Sequence, residues 1–215
     1  MTPAHVKPAP VTPSQGRRCF WVRSAAEDYV AYHDREWGFP VSDEHRLFEK
    51  ICLEGFQAGL SWLTILRKRE GFRRAFAGFD FEKVARFGQK DVTRLLGDAG
   101  IVRHRGKIEA TLNNAREACR LADEAGSLGA YLWRYEADPV SRPKRITEKV
   151  LRGMTMSAEA VALSKDLKKR GWRFVGPTTM YAFSQAMGLV NDHEHGCPTR
   201  AEVETARARF RVPGR

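Results

Sequence analysis

Apolar residues recur with the spacing of an α-helix along most of the chain, and this periodicity limits the fold more than any other feature. Leu47, Phe48, Ile51 and Cys52 follow the i, i+1, i+4, i+5 pattern that places side chains on one face of a helix. No alternating run of apolar and polar residues is long enough to suggest a strand. The sequence therefore predicts an all-α protein with about eight to ten helices of ordinary length.

Capping residues indicate where the helices begin. Ser24 and Glu27 have the Ser-x-x-Glu spacing of a capping box and predict a helix that runs to about Trp37. Ser42 is predicted to cap the next helix, which contains the segment ICLEG. The other predicted helix starts are Ser61, Asp80, Asp91, Ser127, Ser157 and Pro177.

Composition divides the chain into three parts. Residues 1–17 are rich in proline and small polar residues, which is typical of a disordered leader. Residues 18–199 are predicted to form a single compact domain of two closely packed helical lobes, with a long loop at 138–157. Residues 200–215 are predicted to form a basic, frayed tail.

The chain carries an excess of positive charge. Its 37 lysine and arginine residues exceed its 26 aspartate and glutamate residues, for a net charge of +11. Such a surplus favours a polyanionic partner, most commonly nucleic acid, although an acidic membrane surface is also negatively charged and would fit as well. No apolar run approaches a membrane span and the first residues lack the apolar centre of a signal peptide, so we expect a cytoplasmic protein with reduced cysteines.

The segment GIVRHRGK (100–107) predicts a tight turn between two helices. Backbone N–H groups at the start of the second helix would suit a phosphate oxygen, and the surrounding basic side chains would add positive charge. Phosphate contacts of this kind fix a protein on nucleic acid without reading its sequence. An ordinary helical hairpin with a solvated basic loop fits the same pattern.

The cysteines and histidines allow two interpretations. Cys52 and Cys119 lie among apolar helical neighbours, as buried thiols do. Two cysteines and two histidines near the ends of the folded region could instead complete a closed tetrahedral zinc site, with His195 as a competing ligand. That set is Cys19, His33, His193 and Cys197.

Aromatic residues concentrate in the first third of the chain, near one acidic side chain. Trp21, Tyr32, Trp37 and Trp62 would ordinarily pack in a core, and Glu54 would ordinarily lie on a surface. Aromatic faces together with one carboxylate are also what a protein needs to hold an electron-poor base outside the DNA helix.

The chain resembles the bacterial 3-methyladenine DNA glycosylase I family from about residue 18 to residue 197. The resemblance depends on the long motifs RCFWV, DYVAYHDREWGFPV, LFEKICLEGFQAGLSWLTIL, DAGIVRHRGKI, LSKDLKKRGWRFVG and GLVNDHEHGC. It implies the all-α helix-hairpin-helix glycosylase fold and base-excision repair of alkylated double-stranded DNA by a monomer. In that repair reaction the N-glycosidic bond of 3-methyladenine is hydrolysed, which leaves an abasic site.

The resemblance also implies roles for individual residues. Glu54 and Tyr32 would be the catalytic residues and would also bind the base, with Glu54 recognising it, and Trp62 would stack on the base. Trp21 and Trp37 would complete the aromatic wall. The DNA-anchoring residues would be Arg103, Arg105, Gly106 and Lys107, and the ligands of one structural zinc ion would be Cys19, His33, His193 and Cys197.

Methylation at N3 makes the attached adenine cationic and its departure easy, so the enzyme would need no strong general acid. An ionised Glu54 would then favour the cationic base over neutral adenine. Neither Asp123 nor any lysine is positioned in the sequence as a catalytic base or a Schiff-base nucleophile, which predicts a monofunctional glycosylase without lyase activity. A DNA-binding module without catalysis is the alternative, and it would have no use for a carboxylate facing DNA.

Overall fold

The protein is built from α-helices and short 3-10 turns. The computed structural model describes residues 17–215, and no strand occurs among them. The leader predicted at residues 1–17 lies outside the described residues except for the last of them. No described helix is long and apolar enough to cross a membrane. The α-helices are α1 Glu27–Arg35, α2 Glu44–Gln57, α3 Trp62–Ala75, α4 Phe81–Ala85, α5 Gln89–Gly97, α6 Arg105–Ala125, α7 Leu128–Leu132, α8 Glu148–Gly153, α9 Ala158–Lys169, α10 Pro177–Ala186 and α11 Pro198–Arg209.

Helix α2 lies at the centre of the fold. Every residue from 47 to 56 is buried, and the helix contacts α3, α6, α7 and α10. A helix buried on all sides must also bury its polar residues, which here include Glu49, Lys50 and Glu54. Each of these charged groups therefore needs a partner inside the protein.

Several helix starts differ by a few residues from those expected. The N-cap of α1 is Ala26, whose side chain cannot accept a hydrogen bond, so the predicted capping box of Ser24 and Glu27 is wrong. Asp43, and not Ser42, caps α2 by accepting a hydrogen bond from the backbone N–H of Arg46 at 2.8 Å. The predicted caps at Ser61, Asp80, Ser127 and Ser157 are confirmed, but the predicted start at Asp91 is wrong because α5 begins at Gln89 with Gly88 as its N-cap.

Two segments are more regular than their composition predicts. The predicted loop at 138–157 contains α8, and the predicted frayed tail contains α11. Helix α11 is held by buried Val203 and by an ion pair of 2.7 Å between Arg207 and Glu136. After the helix ends, the Phe210 ring packs against the Trp133 ring with centroids 4.6 Å apart.

The turn between α5 and α6 is packed tightly against α3. A Cβ atom on Gly71 of α3 would lie 2.4 Å from the carbonyl oxygen of Gly100, so only glycine allows this approach. The Lys68 ammonium, also on α3, donates a hydrogen bond to the Ala99 carbonyl at 2.8 Å. These contacts fix where the basic segment 100–107 lies on the protein.

Candidate base-binding pocket and metal centre

A cavity of about 330 Å³ opens between the N-terminal segment, α1, α2 and α3 on one side and α8 and α10 on the other. All five residues expected to bind a base line it: Trp21, Tyr32, Trp37, Glu54 and Trp62. The sequence did not single out the remaining lining residues, which are Phe20, Tyr29, Gln57, Leu151, Met154, Ala182 and Gln185. Phe20, Tyr29 and Gln57 lie within the long motifs quoted above, whereas the lining residues from α8 and α10 lie outside those motifs and depend on how the helices pack.

The aromatic rings form a continuous wall. Trp21 contacts the Trp37 ring edge-to-face with centroids 5.1 Å apart, and it contacts Tyr29 at the same distance. Tyr32 lies next to Trp62, with centroids 5.4 Å apart and planes inclined by 44°. Edge-to-face contacts stabilise such rings while leaving faces available to a planar, electron-poor ligand.

Glu54 is buried and forms an ion pair with a residue that the sequence did not single out. Its Oε1 atom lies 2.8 Å from Nζ of Lys50, one helical turn earlier on α2. The Lys50 ammonium also donates a hydrogen bond of 2.8 Å to the Tyr32 hydroxyl and lies 3.3 Å from the centroid of the Trp62 ring. The available signal was the i, i+4 spacing of a lysine and a glutamate within an otherwise apolar helix.

Burial determines the protonation of these groups. It raises the pKa of the Tyr32 hydroxyl well above its ordinary value, and the nearby Glu54 carboxylate adds to the rise, so the hydroxyl keeps its proton. Desolvation lowers the pKa of Lys50, but the Coulomb attraction and hydrogen bond of Glu54 oppose that change. The Lys50–Glu54 pair thus places balanced charges beside the cavity.

Two cysteines and two histidines meet behind the aromatic wall. The possible ligand atoms of Cys19, His33, His193 and Cys197 all lie within 4.8 Å of one another, and all four residues are buried. Trp21 and Trp37 both contact the His33 ring, with centroids 5.1 Å and 6.2 Å away. This group could hold a metal ion and would connect the N-terminal segment to the chain just before α11.

Outer hydrogen bonds orient the imidazoles of the cluster. Nδ1 of His33 lies 2.7 Å from an Asp34 carboxylate oxygen, and Nε2 of His193 lies 2.8 Å from the Trp37 carbonyl oxygen. Both acceptors require an N–H, so the remaining ring nitrogens carry lone pairs that face each other at 3.2 Å. A cation between these nitrogens would relieve their repulsion, and the outer carboxylate and carbonyl would orient the two rings, as they do for metal-binding histidines in general.

The two cysteines of the cluster differ in protonation, because the hydrogen bond with Cys197 and burial raise the pKa of the Cys19 thiol. A hydrogen bond from Cys19 lowers the pKa of the Cys197 thiol against the effect of burial, and the two imidazoles lower it further. A thiolate is the form that binds metal. His195, the competing candidate, is exposed, and its Nδ1 accepts a hydrogen bond of 2.8 Å from the Ile146 backbone N–H, outside the cluster.

The basic segment before α6 divides into exposed and buried residues. Arg103 and Arg105 are exposed at the start of α6, where Gly106 lies in its first turn. Lys107 is buried, and its ammonium donates hydrogen bonds to the carbonyl oxygens of Phe56 (2.8 Å) and Ala58 (2.6 Å) at the end of α2. The predicted contact of Lys107 with DNA is therefore wrong, because the side chain caps α2 instead.

Comparison with known proteins agrees with this geometry. Residues 21–201 match the model of the methyladenine glycosylase family. DNA-3-methyladenine glycosylase 1 of Escherichia coli (strain K12) is 48% identical over 182 residues, which are 84% of this chain and 95% of that protein. A crystal structure of 3-methyladenine DNA glycosylase I superposes with a TM-score of 0.76 at 47% identity, over 85% of this chain and 98% of the other.

The enzyme from Staphylococcus aureus, described for its recognition of 3-methyladenine, also has a TM-score of 0.76, with 38% identity over 83% of this chain and 94% of its own. The family match covers most of the chain, and the identities are well beyond those at which only a fold is shared. The chain therefore belongs to the methyladenine glycosylase family.

Proposed function

We propose that this protein repairs alkylated DNA by hydrolysing the N-glycosidic bond of 3-methyladenine, which leaves an abasic site. The observation that carries the proposal is the aromatic cavity with the buried carboxylate of Glu54 on its wall. A module that only binds DNA would need the basic surface but not this cavity. The family membership and the names of the relatives support the same reaction.

The cavity would bind the damaged base after the nucleotide rotates out of the duplex. Rotation costs a few kcal/mol, less for a damaged base, and a desolvated cation over an aromatic face returns on the order of 2 kcal/mol. Trp62 would supply that face, Glu54 and Tyr32 would hold the edge of the base, and Trp21 and Trp37 would complete the wall.

The leaving base is neutral once the glycosidic bond of the cationic nucleotide breaks, so no strong general acid is required. Water would then attack the sugar, and we propose no covalent enzyme intermediate. Asp123, the only aspartate in the helix after the hairpin, is exposed near the end of α6 and does not line the cavity. A monofunctional hydrolase accounts for these features.

Anchoring to DNA would use the start of α6. The first backbone N–H groups of a helix have no partner within it, and they attract phosphate together with the helix dipole. Arg103 and Arg105 would add charge there, with the backbone of Gly106 close to the phosphate. Nδ1 of His104, the N-cap residue, accepts a hydrogen bond of 3.2 Å from the Lys107 backbone N–H and keeps the first turn in place.

The metal of the buried cluster is proposed to be zinc with a structural role. Zinc bonds sulfur at about 2.3 Å and imidazole nitrogen at about 2.05 Å, so tetrahedral ligands lie about 3.6 Å apart for a sulfur and a nitrogen and about 3.3 Å for two nitrogens. The separations here include 3.6 Å for Cys19 and His193, 3.7 Å for Cys197 and His33, 3.8 Å for Cys197 and His193, and 3.2 Å for His33 and His193, and all four ligand atoms lie within 4.8 Å of one another. Four protein ligands leave no open position for a substrate.

One assay tests the proposed reaction directly. Duplex DNA treated with a methylating agent is incubated with the protein, and the released bases are identified by chromatography. We expect release of 3-methyladenine. The DNA strands should stay intact after the reaction and break at the abasic sites only when alkali is added. Borohydride treatment should give no covalent protein–DNA product. Absence of released 3-methyladenine from folded protein would refute the enzymatic proposal.

A further inference from the structure

Lys50 is in contact with each of the three side chains that the proposed function places on the base. Its ammonium lies 2.8 Å from the Glu54 carboxylate, 2.8 Å from the Tyr32 hydroxyl and 3.3 Å from the centroid of the Trp62 ring. Its side chain is only 5% exposed. No general feature of the fold requires a charged group at this position on a buried helix.

The ammonium contacts these residues from behind the pocket. Tyr32 and Trp62 line both the base cavity and a separate small void of about 20 Å³, whereas Lys50 lines only the void. Lys50 therefore does not occupy the space proposed for the base. It lies on the other side of the wall, where it can fix the orientation of groups that face the cavity.

The chemistry of the ammonium gives these contacts a direction. A lysine ammonium carries three donors and no acceptor, so both Glu54 Oε1 and the Tyr32 oxygen must accept from it. The Tyr32 hydroxyl keeps its own proton and must donate it elsewhere. Among the residues that the structure describes, neither the Glu54 carboxylate nor the Tyr32 hydroxyl has a hydrogen-bond partner other than Lys50. The hydroxyl proton and the second oxygen of Glu54 are thus available to a ligand.

We infer that Lys50 is a positioning residue that fixes the hydrogen-bonding pattern of the pocket as one donor, on Tyr32, beside one acceptor, on Glu54. The inference rests on the proposed function and names what selects the base. Adenine presents an N6 amino donor next to the N7 acceptor, and methylation at N3 leaves that edge unchanged. Guanine presents two acceptors, O6 and N7, so O6 would face the Glu54 carboxylate without a proton between them.

The test compares two substrates in one reaction. Methylated duplex DNA contains both 3-methyladenine and 3-methylguanine, and the ratio of their release rates does not depend on how much enzyme is folded. In Lys50→Met the hydroxyl of Tyr32 is free to rotate and Glu54 loses its ionic partner. We expect the preference for 3-methyladenine over 3-methylguanine to fall by at least about tenfold, the discrimination typical of one well-placed pair of hydrogen bonds.

Lys107→Met is the matched control, because it also removes a buried ammonium from a contact with α2. The partners of Lys107 are the backbone carbonyls of Phe56 and Ala58, so its loss should lower thermal stability without changing the ratio. An unchanged ratio in folded Lys50→Met would overturn the role of Lys50. It would leave the proposed function intact, which only failure of the wild-type protein to release 3-methyladenine would refute.

A measurement on the wild-type protein keeps the inference testable if Lys50→Met does not fold. Free 3-methyladenine and 3-methyl-7-deazaadenine differ only in that the second has a C–H group in place of the N7 acceptor. If the contact with Lys50 makes the Tyr32 hydroxyl donate its proton to N7, the deaza compound should bind at least about tenfold more weakly than 3-methyladenine in a calorimetric titration. Equal affinities would show that Tyr32 does not donate to the base, and the inference would be wrong.

Discussion

Substitution of Glu54 by alanine should destabilise the protein as well as inactivate it. Lys50 Nζ is buried, and the Glu54 carboxylate at 2.8 Å is the anion that compensates it. Removal of one partner from a buried ion pair costs about 3–5 kcal/mol, because the other charge stays desolvated and unpaired. For a domain of this size that loss corresponds to a melting temperature lower by roughly 10 °C.

A second substitution separates the structural and the functional effects. Adding Lys50→Met to Glu54→Ala removes the unpaired charge and keeps an unbranched apolar side chain against the Trp62 ring. We expect the double variant to recover about half or more of the lost unfolding free energy, as neutral replacements of buried ion pairs do. Excision of 3-methyladenine should remain abolished, because the acceptor for the base is still absent.

The measurements are urea unfolding at equilibrium and chromatography of bases released from methylated DNA. Affinity for undamaged duplex DNA serves as a control and should change little in either variant, because Glu54 is not part of the proposed DNA anchor. A Glu54→Ala variant as stable as the wild type would refute the reasoning about the buried pair. Excision at the wild-type rate by the double variant would refute the role of Glu54 in recognition.

Other predictions concern the turn before α6, the metal cluster and the loss of stability at low pH. Gly71→Ala would place a Cβ atom 2.4 Å from the Gly100 carbonyl oxygen and push the turn before α6 away from α3. Melting curves should show that the free energy of unfolding falls by about 1–3 kcal/mol, and anisotropy titrations should show weaker binding to duplex DNA. Cys197→Ser should reduce the metal content of purified protein to well under one zinc ion per chain by elemental analysis, and a full zinc content would contradict the ligand assignment. Burial alone would raise the pKa of Glu36, but the hydrogen bond and charge of Arg69 together lower it below the ordinary value of 4.5. The ionised carboxylate therefore stabilises the fold above pH 4.5, and this stabilisation is lost as the pH falls through the lowered pKa. Glu36→Gln should therefore lose less stability than the wild type between about pH 5 and pH 3, as followed by chemical unfolding at each pH.

The fold class could be read from the sequence because helical periodicity and caps are local signals. Ser61 and Asp80 cap their helices as expected, since each side chain needs only the first turn of its own helix. Helix α8 has a local cap, Thr147, that the prediction overlooked, whereas α11 was missed because it depends on contacts with distant parts of the chain. The ion pair of Arg207 with distant Glu136 is one such contact, and no pattern within residues 198–209 indicates it.

The site was predictable to the extent that long motifs carry it. The five base-binding candidates line one cavity, and the four candidate metal ligands meet although His33 and His193 are 160 residues apart in the chain. The charge of the pocket was not predictable. An isolated Glu54 would favour a cationic base strongly, but Lys50 lies 2.8 Å from its carboxylate and balances its charge, so we expect selectivity to depend more on the aromatic faces and on hydrogen-bond direction.

The sequence by itself determined that this chain forms helices, which face of each helix is apolar, and which family its motifs resemble. Only the tertiary structure decided where the two buried lysines point: Lys50 to the back of the pocket wall and Lys107 to the end of α2. Both residues look like surface cations in the sequence. Periodicity orients a side chain only relative to its own helix, whereas its partner depends on which other helix packs against that face.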